Sequence, residues 1–237
     1  MAKAHSAWKV LPHGEIEKLS DRLWRVEGEL EGVPLKRVMT IARRADDSLV
    51  VHNAIALRDA DMAALDAWGR VATIAVPNGY HRLDARIFHE RYPGARVVCP
   101  AGAKAKVAQV VPVMDTYGDL AADSAVDLFT LDGTREREGG MIVRGADGTS
   151  LVLNDAVFNM PHVAGAIGFM LRRVTGSTGG PRVSRVIRWF VVADRPAFRA
   201  HLERLAGLPD LRRIIVSHHL TITTDPAGTL RAVAARL

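Results

Sequence analysis

His52, His81, Asp84, Asp155, His218 and His219 all fall where an apolar run stops: "VVHNA", "TIAVPNGYHRLDA", "LVLNDAVF" and "IIVSHH". In α/β architectures such strand ends converge on one rim, so the spacing can gather these side chains although they are far apart in the chain. Neutral imidazole nitrogens with a carboxylate oxygen are the donor set of a zinc, iron or manganese ion. An ion held that way lowers the pKa of a bound water and polarises an ester or amide. Without an ion, His81 or His218 beside a carboxylate offers a general base. Each residue also has a plainer role. Asp84 directly precedes a helical pattern and Asp155 stands at a similar boundary, so both suit helix caps. His52 sits in an apolar strand and suits a hydrogen-bonded core histidine. In the pair His218-His219, strand alternation turns one inward. His162, shortly past Asp155, can approach the same rim.

Other catalytic patterns are missing. The serine of "GSTGG" lacks the strand-turn-helix setting of a nucleophile elbow. No Gly-x-Gly-x-x-Gly follows a strand, and no Gly-x-x-x-x-Gly-Lys-Ser/Thr occurs.

The elements that must position these residues follow from periodicity. Residues 22–57 read as strands: "RLWRVEGEL" and "LKRVMTIARR" alternate, and "DSLVVHNAIAL" is continuously apolar. "RDADMAALDAWGR" reads as a helix opened by Asp59 and stopped by Gly69. A strand over 71–77, a polar loop, a helix over 85–92, the strand "ARVVCP" and the short helix "AGAKAKVAQV" come next. Beyond residue 110 strands return as "VDLFTL", "GGMIVRG" and "TSLVLND", the last two joined by a turn at Asp147-Gly148. "HVAGAIGFMLRRV" and "RPAFRAHLERLAG" read as helices around the loop "TGSTGGPR". "RRIIVSHH" is a strand, and "DPAGTLRAVAARL" a helix capped by Asp225 with Pro226 at its first position. No internal repeat occurs. Two βα-rich halves around a packed double sheet explain this order better than an alternating barrel does.

With 237 residues, 48% hydrophobic and 24% charged, the chain can bury a core without staples. Its single cysteine, Cys99, excludes an intramolecular disulfide framework and a cysteine-rich zinc cluster, and reads as a buried, inert thiol. No signal-peptide pattern and no bilayer-length apolar run occur, so a soluble protein of the reducing cytoplasm with no membrane partner is expected. The net charge of +6 gathers in an arc containing Arg172, Arg173, Arg182, Arg185, Arg188, Arg195 and Arg199. Only Trp189, Phe190 and Phe198 interleave it, which favours solvated helix faces over a nucleic-acid surface.

Taken together, "VPNGYHRLDA", "LVLNDAVF" and "IIVSHHL" resemble the metallo-β-lactamase superfamily, whose pattern is a His-x-His-x-Asp-His loop, a later aspartate at a strand end and a final strand-end histidine. "P-N-x-x-H" and "YPGARVV" match a divergent branch of it most closely. The resemblance runs from about residue 22 to the C-terminus. It implies a single α/β domain over residues 1–237, a four-layer αββα sandwich with helices outside two mixed β-sheets. Residues 1–20 are then an N-terminal extension, and residues 160–200 a helical, arginine-rich insert near the site. In the register that keeps most ligands, Gly79 replaces the first histidine, His81 keeps the second, Leu83 replaces the aspartate and Asp84 stands for the last histidine. The mid-chain histidine has no counterpart, and Thr134 or Glu138 falls near its place. Asp155 matches the bridging carboxylate and His218 the last histidine.

The resemblance thus implies an incomplete centre: one zinc, iron or manganese ion, or none, at Asp84, Asp155 and His218 with His81 adjacent. His52, His162 and His219 form a second tier. The implied function is that of a mononuclear metal-dependent hydrolase acting on a small molecule; the arginine-rich segment 172–199 separately offers Arg182 and Arg185 to an anionic group of a substrate. The alternative is a metal-free descendant acting as a binding or structural protein.

Overall fold

Strand propensity and alternation build the first sheet over the first half of the chain. A computed structural model describes residues 4–237. It places β1 (Glu17–Ser20), β2 (Leu23–Leu30), β3 (Val33–Arg43), β4 (Leu49–His52), α1 (Asp59–Trp68), β5 (Val71–Ala75), α2 (Ala85–Arg91), β6 (Arg96–Cys99), α3 (Lys104–Val107) and β7 (Asp115–Thr116) in that order. β1 to β7 lie side by side in sequence order, antiparallel up to β4 and parallel beyond it. The parallel half requires crossovers, and α1 and α2 supply two of them.

The second half adds β8 (Val126–Thr130), β9 (Gly139–Gly145), β10 (Gly148–Leu153), β11 (Phe158–Met160), α4 (Gly165–Met170), β12 (Gly180–Arg182), α5 (Arg185–Phe190), α6 (Arg195–Leu205), β13 (Leu211–Ile215) and α7 (Pro226–Ala234). The second sheet runs β13-β10-β9-β8 and is also mixed, because β10 and β13 are parallel. The turn at Asp147-Gly148 closes the β9–β10 hairpin as expected.

Three apolar layers hold the sandwich together. Leu23, Val38, Val50, Val98, Met141 and Val152 meet between the sheets. Met62, Leu65 and Phe88 pack on the outer face of the first sheet, and Phe198, Leu202 and Leu230 on that of the second. Phe88 and Phe198 are fully buried, so truncating either to alanine costs about 3–5 kcal/mol. This is the expected αββα arrangement, with two mixed sheets inside and helices outside. Cys99 is buried, and burial pushes its thiol up to about 11, in keeping with an inert side chain.

Some boundaries differ from the sequence pattern. The run "DSLVVHNAIAL" stops as a strand at His52, because Asn53 takes a left-handed backbone (φ 57°) that asparagine tolerates better than most residues. Helix α1 is preceded by Arg58 rather than capped by Asp59. The segment after Met170 winds on to Thr175 as a π-helical turn. α5 and the small β11–β12 ribbon add structure around the glycine-rich loop. Within the N-terminal stretch, Trp8 packs on Phe88 and donates to the Leu57 carbonyl at 3.1 Å. Among the described residues no helix is long and apolar enough to cross a membrane.

Candidate metal centre

Four strand ends deliver the site. β4 and β5 are parallel in one sheet, β10 and β13 are parallel in the other, and the chain leaves all four at the same rim. Backbone bonds close that rim between the sheets: Gly139 N–H donates to the Pro77 carbonyl at 2.9 Å, and Val38 N–H to the Ser217 carbonyl at 2.9 Å.

His81, Asp155 and His218 come together there, each offering an atom within 4.8 Å of the others. The Nε2 atoms of His81 and His218 both face Asp155 Oδ1, at 3.1 and 3.2 Å. The outer ring nitrogens fix the tautomers. His218 Nδ1 lies 2.7 Å from the Lys36 carbonyl, which can only accept, so Nδ1 carries the proton. His81 Nδ1 lies 3.2 Å from Asn53 Oδ1, and the Asn53 amide is oriented by its own bond from Nδ2 to the Val38 carbonyl at 2.8 Å. His81 Nδ1 therefore donates as well. With neutral rings both Nε2 lone pairs would face a carboxylate oxygen, so the cluster needs a positive charge among the three atoms, supplied either by a metal ion or by a second proton on a ring. The Phe158 ring, 5.3 Å away and nearly parallel, holds the plane of the His218 imidazole.

Asn78 organises the other side. Its Nδ2 donates to Asp155 Oδ2 at 2.9 Å and to Glu138 Oε2 at 3.0 Å. Its Oδ1 accepts from the backbone of Tyr80 and His81 at 2.8 and 2.9 Å, which folds the loop so that His81 faces inward. Glu138 Oε1 accepts from the Asp155 backbone N–H at 2.8 Å. Burial opposes charge on Asp155, but the charges and hydrogen bonds of His81 and His218 outweigh it and hold the carboxyl well below the usual range. Burial and the neighbouring charge of Asp155 push Glu138 the other way, up to about 8. Burial lowers His218, but its bonds to Asp155 and Lys36 leave it raised. A cavity of about 550 Å³ opens over Asn78, Glu138, Asp155 and His218, with Leu35, Leu171, Ile187 and Phe190 among its walls.

The donor set fits one ion. Two ligand atoms on a single tetrahedral zinc lie about 3.3 Å apart, given metal–ligand bonds of about 2.0–2.1 Å. The 3.1 and 3.2 Å separations from Asp155 Oδ1 are compatible with that, and each of the two histidines has the kind of outer partner that metal-bound imidazoles characteristically keep.

No protein-family model and no curated sequence matches the chain. Solved structures do. A metallo-β-lactamase from Erythrobacter litoralis is 12% identical with a TM-score of 0.61, over 97% of this chain and 100% of that one. One from Pontibacter korlensis is 11% identical at 0.59, over 94% and 99%. The FIM-1 metallo-β-lactamase of Pseudomonas aeruginosa, in its mono-zinc form, is 13% identical at 0.59, over 96% and 97%. The chain has the metallo-β-lactamase fold.

Within that fold, the structure does not bring together the expected set of Asp84, Asp155 and His218. Asp84 is fully buried away from the cluster: Arg37 Nη2 lies 2.5 Å from Oδ2 and His5 Nδ1 2.6 Å from Oδ1, and the Ala56 N–H donates to Oδ2 at 3.2 Å. Nor does its side chain cap α2. His81 stands where Asp84 was expected. Gly79, at the place of the first histidine, is pressed against Lys106, whose Cδ would lie 2.7 Å from an added Cβ.

His52 is buried beside His81, and burial followed by the charge of His81 drives it down to about 3, so it stays neutral in the core. His219 takes a left-handed backbone (φ 67°) at the strand exit, while His218 turns inward. His162 bonds the Thr178 hydroxyl at 3.0 Å, outside the cluster. Arg182 donates to the Gly179 carbonyl at 2.6 Å and Arg185 to that of Arg173, and neither lines the cavity. The cations that do are Lys106 and Arg137. Thr134 is spent on the Leu131 carbonyl at 2.6 Å, so Glu138 is the residue that reaches the centre. Sequence reasoning placed Glu138 near the site without a role and passed over Asn53 and Asn78 as site residues. The signal available for Asn78 was its place directly after Pro77 at a strand end.

Proposed function

We propose that the protein is a mononuclear metal-dependent hydrolase of small molecules, with His81, Asp155 and His218 as the metal ligands. The observation that carries this is the convergence of both Nε2 atoms on one carboxylate oxygen, with each Nδ1 engaged by an outer acceptor. A bound zinc, iron or manganese ion would supply Lewis acidity and activate water for attack on an ester or amide. The chain's own residues account for the remainder. Asn78 holds Asp155 and Glu138 in register. Glu138 lines the cavity, and burial beside Asp155 favours its neutral form, which suits it to protonate a leaving group. Leu35, Leu171, Ile187 and Phe190 favour a substrate with an apolar portion.

A second reading is supported by the raised His218: a proton in place of the metal, giving an imidazolium–carboxylate cluster that binds a ligand without hydrolysing it. Chelator-stripped protein reloaded with zinc, manganese or iron(II) separates the two. Hydrolysis of nitrophenyl esters that appears on reloading and is lost in His218→Ala supports the metal reading; equal rates before and after reloading reject it.

A further inference from the structure

Between Asp155 and Asp194 the chain has no acidic residue, yet it carries Arg172, Arg173, Arg182, Arg185 and Arg188. None of the five pairs with an Asp or Glu side chain among the described residues, although Arg182 and Arg188 donate to the main-chain oxygens of Gly179 and Leu237. Helix α4 with its π-helical extension and helix α5 occupy this stretch, and the Arg185 guanidinium joins them by donating to the Arg173 carbonyl. Their outward side chains are large and apolar: Phe169 is 65% exposed, Val174 61%, Trp189 64% and Phe190 74%, with Ile167 and Met170 close to half. Such a concentration on one pair of short helices is what interaction surfaces show, whereas single exposed apolar residues are ordinary.

We propose that this face rests on an anionic lipid surface, with Phe169, Trp189 and neighbouring apolar side chains entering the headgroup boundary and Arg172 and Arg173 meeting lipid phosphates. Aromatic and aliphatic residues beside arginines, on helices too short to span a bilayer, suit a peripheral helix lying in the interface. Arginine stems can cover apolar surface while their heads reach the phosphates. A second copy of the chain is a poor occupant, because a self-paired face would bring unpaired arginines together. The sequence-based expectation of no membrane partner rested on the lack of a spanning helix, which leaves association at the surface untouched. Phe190 and Val186 belong both to this exposed face and to the cavity wall, so the cavity mouth opens at the proposed lipid boundary. The proposal does not depend on metal at the centre, since binding to vesicles requires neither an ion nor turnover.

The test is co-sedimentation of the full chain with vesicles of phosphatidylcholine alone and of phosphatidylcholine mixed with phosphatidylglycerol. Arg172→Glu/Arg173→Glu and Phe169→Ser/Trp189→Ser are compared with wild type, with circular dichroism confirming that each variant is folded. The expected result is binding to the mixed vesicles only, reduced by salt, and weakened at least about tenfold by the charge reversals. A blue shift of the tryptophan emission on binding, absent when Trp189 is replaced, is expected as well. No binding to the mixed vesicles, binding equal for all variants, or a homodimer in solution that the same substitutions dissociate would overturn it.

Discussion

Asn substituted for Asp84 separates a structural role from a ligand role more sharply than any other change. The Asp84 carboxylate has no exposed side-chain surface and lies against Nη2 of Arg37, whose side chain is 4% exposed and whose Nε has no hydrogen-bond partner. Asp84→Asn keeps the volume and removes the charge, leaving the Arg37 guanidinium buried without a counterion. Removing one member of such a pair costs about 3–5 kcal/mol. That is a large part of the roughly 5–15 kcal/mol by which folded domains are stable. For a chain of this size each kcal/mol moves Tm by about 2–4 °C, so a fall of roughly 6–20 °C is expected. Urea denaturation of wild type, Asp84→Asn, Arg37→Met and the double variant measures it. The double variant should recover much of the loss, since it buries no uncompensated charge. Zinc binding by folded Asp84→Asn should be unchanged. A loss below about 1 kcal/mol, or metal affinity abolished in a folded variant, would refute the structural assignment of Asp84.

Three other outcomes follow from the same geometry. Asn78→Ala should remain folded but bind metal about 10–100-fold more weakly, as measured by calorimetry, because it frees Asp155 Oδ2 and the His81 loop together. Gly79→His should not supply a missing ligand, since its Cβ meets the Lys106 side chain; a destabilisation of about 1–3 kcal/mol in urea is expected, relieved by Lys106→Ala. In chelated protein, Glu138 is raised from 4.5 to about 8, so its neutral form favours the folded state and its contribution is lost as pH rises across that window. Glu138→Gln should therefore gain stability relative to wild type from about pH 4.5 to 8, and a difference that does not vary with pH would count against the raised value.

Much of the fold was legible because its determinants are local. Alternation gave β2 and β3, Asp225-Pro226 gave the start of α7, and Asp147-Gly148 gave the β9–β10 turn. α5 was not legible: its six residues complete too little of a helical period, and its cap is the Ser184 hydroxyl accepting from Ile187 N–H at 3.3 Å. At the candidate site the strand ends identified His81, Asp155 and His218 as candidates. They misplaced Asp84 because its partners Arg37 and His5 lie 47 and 79 residues away in the chain. Spacing along a loop says which residues are near, and the folded neighbours decide which way each one faces. Glu138 reached the centre for the same reason, through its bridge to Asn78 across the rim.

The most direct test of the proposed centre is the stoichiometry and affinity of zinc, manganese and iron(II) for chelator-stripped protein, read by calorimetry and elemental analysis. One ion per chain is predicted, with binding abolished in Asp155→Ala and His218→Ala and retained in Asp84→Asn. No binding of any of the three ions, or binding that survives Asp155→Ala, would contradict it.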